Sequence, residues 1–273
     1  MAVAFDNSTL GTIAAEESSL TFAHTNTGSN LTLLVFVART ATQTVSTVTY
    51  AGAAMTLLNP PGTLGPYDSL KGHAVYYKFA PATGANNVVV TMSAGITAGT
   101  RVYAVAACFS NTHQTAIVTY NNQAIADGTF TNPWVTSVTT TNVNQMLVDC
   151  IIHDTDATTK DSGQTQMEEA SAGFNIEATY KLAASAGSNS MTYGTGGLTA
   201  DASHIVVVLG NPNITTSLTE SITETDTFAG LRTRQFTIDD SISPTDTIVS
   251  SIGTEHWVNQ DEDDATWTNQ SES

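Results

Sequence analysis

The stretch "RVYAVAACF" (101–109) decides the fold class. Read with a period of two, Val102, Ala104, Ala106 and Cys108 fall on one side, and Tyr103, Val105, Ala107 and Phe109 fall on the other. A half-solvated strand alternates apolar with polar residues, so a strand apolar on both sides belongs between two layers. Seven more runs of strand length surround it: "LTLLVFVA" (31–38), "VSTVTYAG" (45–52), "HAVYYKFA" (73–80), "NVVVTMS" (87–93), "QMLVDCIIH" (145–153), "NIEATYKLA" (175–183) and "HIVVVLG" (204–210). In "VSTVTY", Val45 and Val48 do not keep a strict alternation, so that segment assigns no face. Gly, Asn, Pro and Ser punctuate the runs, and "NPPGTLGPYDSLKG" (59–72) is a long turn-rich connection whose Pro60, Pro61 and Pro66 cannot donate to a ladder. No helical periodicity intervenes, which disfavours a βαβ arrangement. The expected fold is all-β: a two-sheet antiparallel sandwich, jelly-roll-like, over residues 1–210.

Composition agrees. Of 273 residues 41% are hydrophobic and only 12% charged, with 8 Lys plus Arg against 25 Asp plus Glu. Long helix-favouring side chains are scarce, while Thr and Val are abundant. A net charge of −17 repels phosphate backbones, so nucleic acid is not an expected partner. The N-terminal "MAVAFD" has no basic segment ahead of an apolar run, so no secretory signal is read there, and no apolar run approaches membrane-helix length. Cys108 and Cys150 each sit inside an apolar run and read as buried thiols rather than a disulfide.

After Gly210 the texture changes. Residues 211–273 hold twelve acidic and two basic residues and few apolar ones, too few to offset the ordering entropy of a second globular domain. Yet "ESITETDTF" (220–228) returns as "DSISPTDTI" (240–248), with Ser221, Ile222, Thr225, Asp226 and Thr227 matched by Ser241, Ile242, Thr245, Asp246 and Thr247. Across the two copies (218–228 and 238–248), Leu218, Ile222 and Phe228 come back as Ile238, Ile242 and Ile248. Repeats this short cannot bury a core, so these six residues are candidate partner-binding anchors of an extended C-terminal arm, laid as short strands on a sheet edge. Trp257 and Trp267, in the same acidic tail, are candidate anchors too, whereas Trp134 reads as ordinary sandwich packing.

The order "NLTLLVFVA…VSTVTYAGAAMTLL…HAVYYKFAPATGANNVVVTMSAG…VAACFSNTHQ", followed by "YKLAASAGSNSMTYGTGG" and "HIVVVLG", resembles a β-sandwich module that recurs in phage virion proteins. The resemblance covers roughly residues 20–210, and the two terminal repeats look like the Ser/Asp/Thr-rich repeats at the ends of such structural proteins. It implies a virion structural protein (decoration, head or tail component), made in the host cytoplasm, that assembles through sheet edges and a C-terminal arm with copies of itself and other virion proteins.

Chemistry-bearing patterns are sparse. "GSNSMTYG" (187–194) offers Ser190 without nucleophile-elbow spacing and reads as a hairpin turn. The histidines at 24, 73, 113, 153, 204 and 256 form no chelating pair, and each reads as a strand or loop residue. The adjacent pairs Glu16–Glu17 and Glu168–Glu169 would face opposite ways on a strand, so no acid/base couple and no enzyme is expected. "HDTDATTKDSG" places Asp154, Asp156 and Asp161 in an oxygen-rich loop suited to calcium, although it lacks an EF-hand's closing Glu and contains Lys160. The alternative function is a carbohydrate-binding or receptor-binding sandwich, in which Tyr76, Tyr77 and Tyr103 would face outward and stack on sugar rings.

Overall fold

The computed structural model describes residues 2–13, 16–39, 43–58, 72–96, 101–125, 132–153, 158–171, 174–195, 202–212, 255–259 and 267–271. The chain divides into two units, Met1–Thr216 and Ser217–Ser273. In the first, nine strands come from the N-terminal half: β1 (Ala4–Ile13), β2 (Ser19–Asn26), β3 (Thr32–Arg39), β4 (Val45–Tyr50), β5 (Ala53–Ala54), β6 (Thr56–Leu57), β7 (Gly72–Phe79), β8 (Gly84–Met92) and β9 (Val102–Ser110). Eight more follow: β10 (Thr119–Ile125), β11 (Trp134–Thr140), β12 (Met146–His153), β13 (Thr158–Lys160), β14 (Thr165–Ser171), β15 (Asn175–Leu182), β16 (Gly187–Thr195) and β17 (Ala202–Leu209). Every recorded pairing is antiparallel. All eight runs read from the sequence are strands; "GSNSMTYG", read as a turn, lies within β16.

The all-β sandwich is there, but doubled. Four sheets stack in the order β2-β8-β4-β5, β1-β9-β3-β7-β6, β10-β17-β12-β15-β14 and β11-β16-β13. The two inner sheets explain the opening stretch. On β9, Val102, Ala104, Ala106 and Cys108 pack toward the first outer sheet with Leu33, Val35 and Val90, while Tyr103, Val105, Ala107 and Phe109 pack toward the second inner sheet with Val148, Ile176 and Val207. Tyr76, Tyr77 and Tyr103 follow the same logic. Tyr76 and Tyr103 are buried in the two cores and Tyr77 packs half-buried on the central one, so none of the three is the outward stacking platform that a glycan site would need.

The second half repeats the first. Strand orders β1-β9-β3-β7 and β10-β17-β12-β15 correspond one to one, as do β2-β8-β4 and β11-β16-β13. The register is conserved as well: Thr32 lies opposite Phe79 and Phe109, and Met146 lies opposite Leu182 and Leu209. Even the turns agree. Asn30 (φ 50°) and Asn144 (φ 65°) adopt the left-handed conformation two residues before their strands, and Gly84 (φ 81°) and Gly187 (φ 108°) do so at the start of β8 and β16. Ala80 N donates to Leu31 O at 2.9 Å, and Ala183 N donates to Gln145 O at 2.8 Å. "YKFAPATGAN" (77–86) and "YKLAASAGSN" (180–189) are the sequence trace of this duplication.

Several of the sheet edges are short or bulged. β5 and β6 have two residues each and β13 has three, while the edge strands β1 and β14 carry register shifts at Phe5/Asn7 and Gln166/Glu168. Short and bulged edges resist open-ended pairing with another sheet.

Cys108 and Cys150 are free and buried in different cores, and burial, the largest cause, raises the pKa of both thiols. Neither is therefore expected to react with a thiol reagent in the native protein, while both react after unfolding; rapid native labelling would contradict this placement.

Candidate functional site

The core between the third and fourth sheets contains a polar cluster. Asp149 on β12 is fully buried, and its Oδ1 accepts hydrogen bonds from Thr179 Oγ1 (2.6 Å), Thr179 N (3.0 Å) and Tyr193 Oη (3.2 Å). Its Oδ2 lies 2.9 Å from Nε2 of the equally buried His204 on β17. The His204 ring is flanked edge-on by Trp134 (5.6 Å) and Tyr193 (5.3 Å), and its Nδ1 has no hydrogen-bond partner among the described residues. Gln164 completes the group: Nε2 donates to Thr179 Oγ1 at 3.0 Å and Oε1 accepts from Thr192 N at 2.7 Å. Burial, and secondarily the Asp149 charge, raises the Tyr193 phenol well above its usual range, so it remains a proton donor.

The duplication supplies an internal control. By the shared register, Asp149, Thr179, Tyr193, His204 and Trp134 occupy the positions of Val35, Tyr76, Val90, Ala104 and Leu20, all members of the hydrophobic core between the first two sheets. The same scaffold is thus filled with apolar side chains in one half and with a charged, hydrogen-bonded set in the other. Fold stability does not demand the polar set, since burying a carboxylate is costly unless it is paired and hydrogen-bonded. The sequence gives no sign of this cluster because its members come from six separate segments.

A second buried polar group lies between the inner sheets, where His73 Nδ1 is 2.9 Å from Ser203 Oγ and His73 Nε2 is 3.8 Å from Cys150 Sγ. Burial, helped by His204, holds His73 down to about 3. Unfolded, the imidazole titrates near 6.5, so between about pH 6.5 and about pH 3 the unfolded chain binds the extra proton and stability falls as pH falls. His73→Gln is expected to flatten the stability-versus-pH curve in that window; an unchanged slope would show that His73 does not carry it.

The other sequence candidates are not brought together. Asp161 is exposed beside the Gly163 turn, Asp154 and Asp156 lie outside the described residues, and among the described residues no cluster of three His, Cys, Asp or Glu could hold a metal. Leu218, Ile222, Phe228, Ile238, Ile242 and Ile248 also lie outside the described residues. In the second unit, β18 (Glu255–Asn259) pairs antiparallel with β19 (Trp267–Ser271), setting Trp257 opposite Asn269 and Trp267 opposite Asn259. Glu168 and Glu169 diverge as expected: Glu168 Oε1 accepts from Ser8 Oγ (2.8 Å) and Glu169 Oε2 from Gln166 Nε2 (2.6 Å).

Comparisons with protein-family models, with curated proteins and with solved structures find no match.

Proposed function

We propose that this is a structural protein of a phage or virus-like particle, a decoration, head or tail component, that assembles with copies of itself and with other virion proteins through its C-terminal arm. The observation that carries this reading is the antiparallel pairing of β18 with β19, which places Trp257 opposite Asn269 and Trp267 opposite Asn259 in a two-stranded hairpin. Such a hairpin is marginal in isolation and needs a surface to pack on. Tryptophan is the residue type most enriched where such packing yields binding energy. The bulges in the edge strands β1 and β14 turn the reading away from strand-to-strand addition at those two edges and toward docking by the arm. The two copies of the "S-I-x-x-T-D-T" segment would then give avidity through successive contacts.

Replacing both Trp257 and Trp267 by Ala in the full chain tests this. The particle or oligomer formed by the wild type should be lost while the far-UV spectrum stays β-rich; assembly unaffected by the double change would remove the ribbon from the interface.

A further inference from the structure

The cluster around Asp149 has the components of an acyl-transfer site with both substrates built in. We propose that Thr179 and Gln164 join in an intramolecular ester bond, formed once by the folded chain on itself. Thr179 Oγ1, the nucleophile, is 2.6 Å from Asp149 Oδ1, which takes its proton. The carbonyl of the Gln164 carboxamide is the electrophile, and its nitrogen already lies 3.0 Å from the attacking oxygen. The Thr192 N–H, 2.7 Å from Gln164 Oε1, is placed to hold the negative charge that develops on that oxygen in the tetrahedral intermediate. Collapse breaks the Cδ–Nε2 bond, and the departing nitrogen receives the proton Asp149 removed from Thr179. The balance is a hydroxyl plus a carboxamide giving an ester plus one ammonia, with no oxidant, metal or cofactor.

The surroundings fit this chemistry. His204 Nε2, 2.9 Å from Asp149 Oδ2, acts as a positioning residue that fixes the carboxylate, and Tyr193 Oη, 3.3 Å from Thr179 Oγ1, offers a second proton donor. Conversion of an amide to an ester is uphill in water, but ammonia escapes to solvent and burial keeps water from the product: Thr179, Tyr193, Asp149 and His204 are all fully buried and Gln164 is 5% exposed. The bond would tie the entry of edge strand β14 to its neighbour β15, closing the connection that an unzipping force on that edge would open first. The corresponding region of the first half, with Val35, Tyr76 and Val90, has none of these groups.

The test is the mass of the full-length protein. The native chain should be lighter than its sequence by one ammonia. Trypsin releases residues 161–181 as one peptide holding both partners, and further cleavage at Glu168, Glu169 or Glu177 should leave the pieces joined until hydroxylamine under denaturing conditions separates them. Thr179→Val, which keeps the shape and removes the nucleophile, should have full mass, as should Asp149→Asn, which cannot take the proton; Thr179→Ser should again lose ammonia. Should either variant fail to fold, the wild-type mass and digest still decide. A wild-type chain of full mass whose pieces separate without hydroxylamine overturns the proposal, as does ammonia loss that persists in folded Thr179→Val.

Discussion

A chain ended after Thr216 is expected to fold into the four-layer block and to lose the assembly proposed for the full-length protein. Every described buried side chain lies in the first unit, Met1–Thr216, which contains all four packed sheets. The proposed anchors all lie downstream, so removing them takes away binding surface and leaves the core alone. A milder change, Ile222→Asp with Ile242→Asp, should have the same effect on assembly. Burying each carboxylate in an apolar docking groove would cost several kcal/mol, more than a short docking strand supplies. The arm should then become protease-sensitive while the block stays intact. If the double change lowers the melting temperature without touching assembly, the arm packs on its own chain instead. If neither responds, the repeats are a spacer.

Val105→Asp should unfold both halves together. Val105 is fully buried on the face of β9 that packs against Val148, Ile176 and Val207 of the other half. An unpaired carboxylate there costs several kcal/mol against a total stability of about 5–15 kcal/mol. The two halves share the largest core of the molecule, so neither can bury its inner sheet alone. Hydrogen exchange resolved by strand is the readout: β3 and β12 should lose protection by the same factor. Protection retained in β12 and lost in β3 would mean that the halves are independent domains that merely touch.

Much of the fold was legible because its central strands carry a two-sided apolar pattern. In β9, β12 and β17 nearly every residue faces a layer, so continuous apolar runs mark them. The outer strands were harder to read. β2, "SLTFAHTN", and β11, "WVTSVTT", bury one side and fill it partly with His24, Asn26, Thr136 and Thr140, so the apolar alternation is diluted. The doubling of the sandwich is written in "YKFAPATGAN" and "YKLAASAGSN", but only these ten-residue segments keep it visible, because the paired strands around them have diverged in side-chain type. The polar cluster gave no local signal. Asp149 sits within "LVDCII" and His204 precedes "IVVVL", and in each case the neighbours announce a buried strand while the polar residue looks like an interruption. Only pairing of β12 with β15 and β17 brings Asp149, Thr179 and His204 together.

The most direct test of the assembly reading is the mass of the full-length protein in solution, measured by sedimentation across a range of concentrations, with the chain ended after Thr216 run alongside. The account predicts a defined multiple of the chain mass for the full-length protein and a single chain for the truncated one. A full-length protein that stays a single chain at every concentration, alone and with the other proteins of a particle, would contradict it.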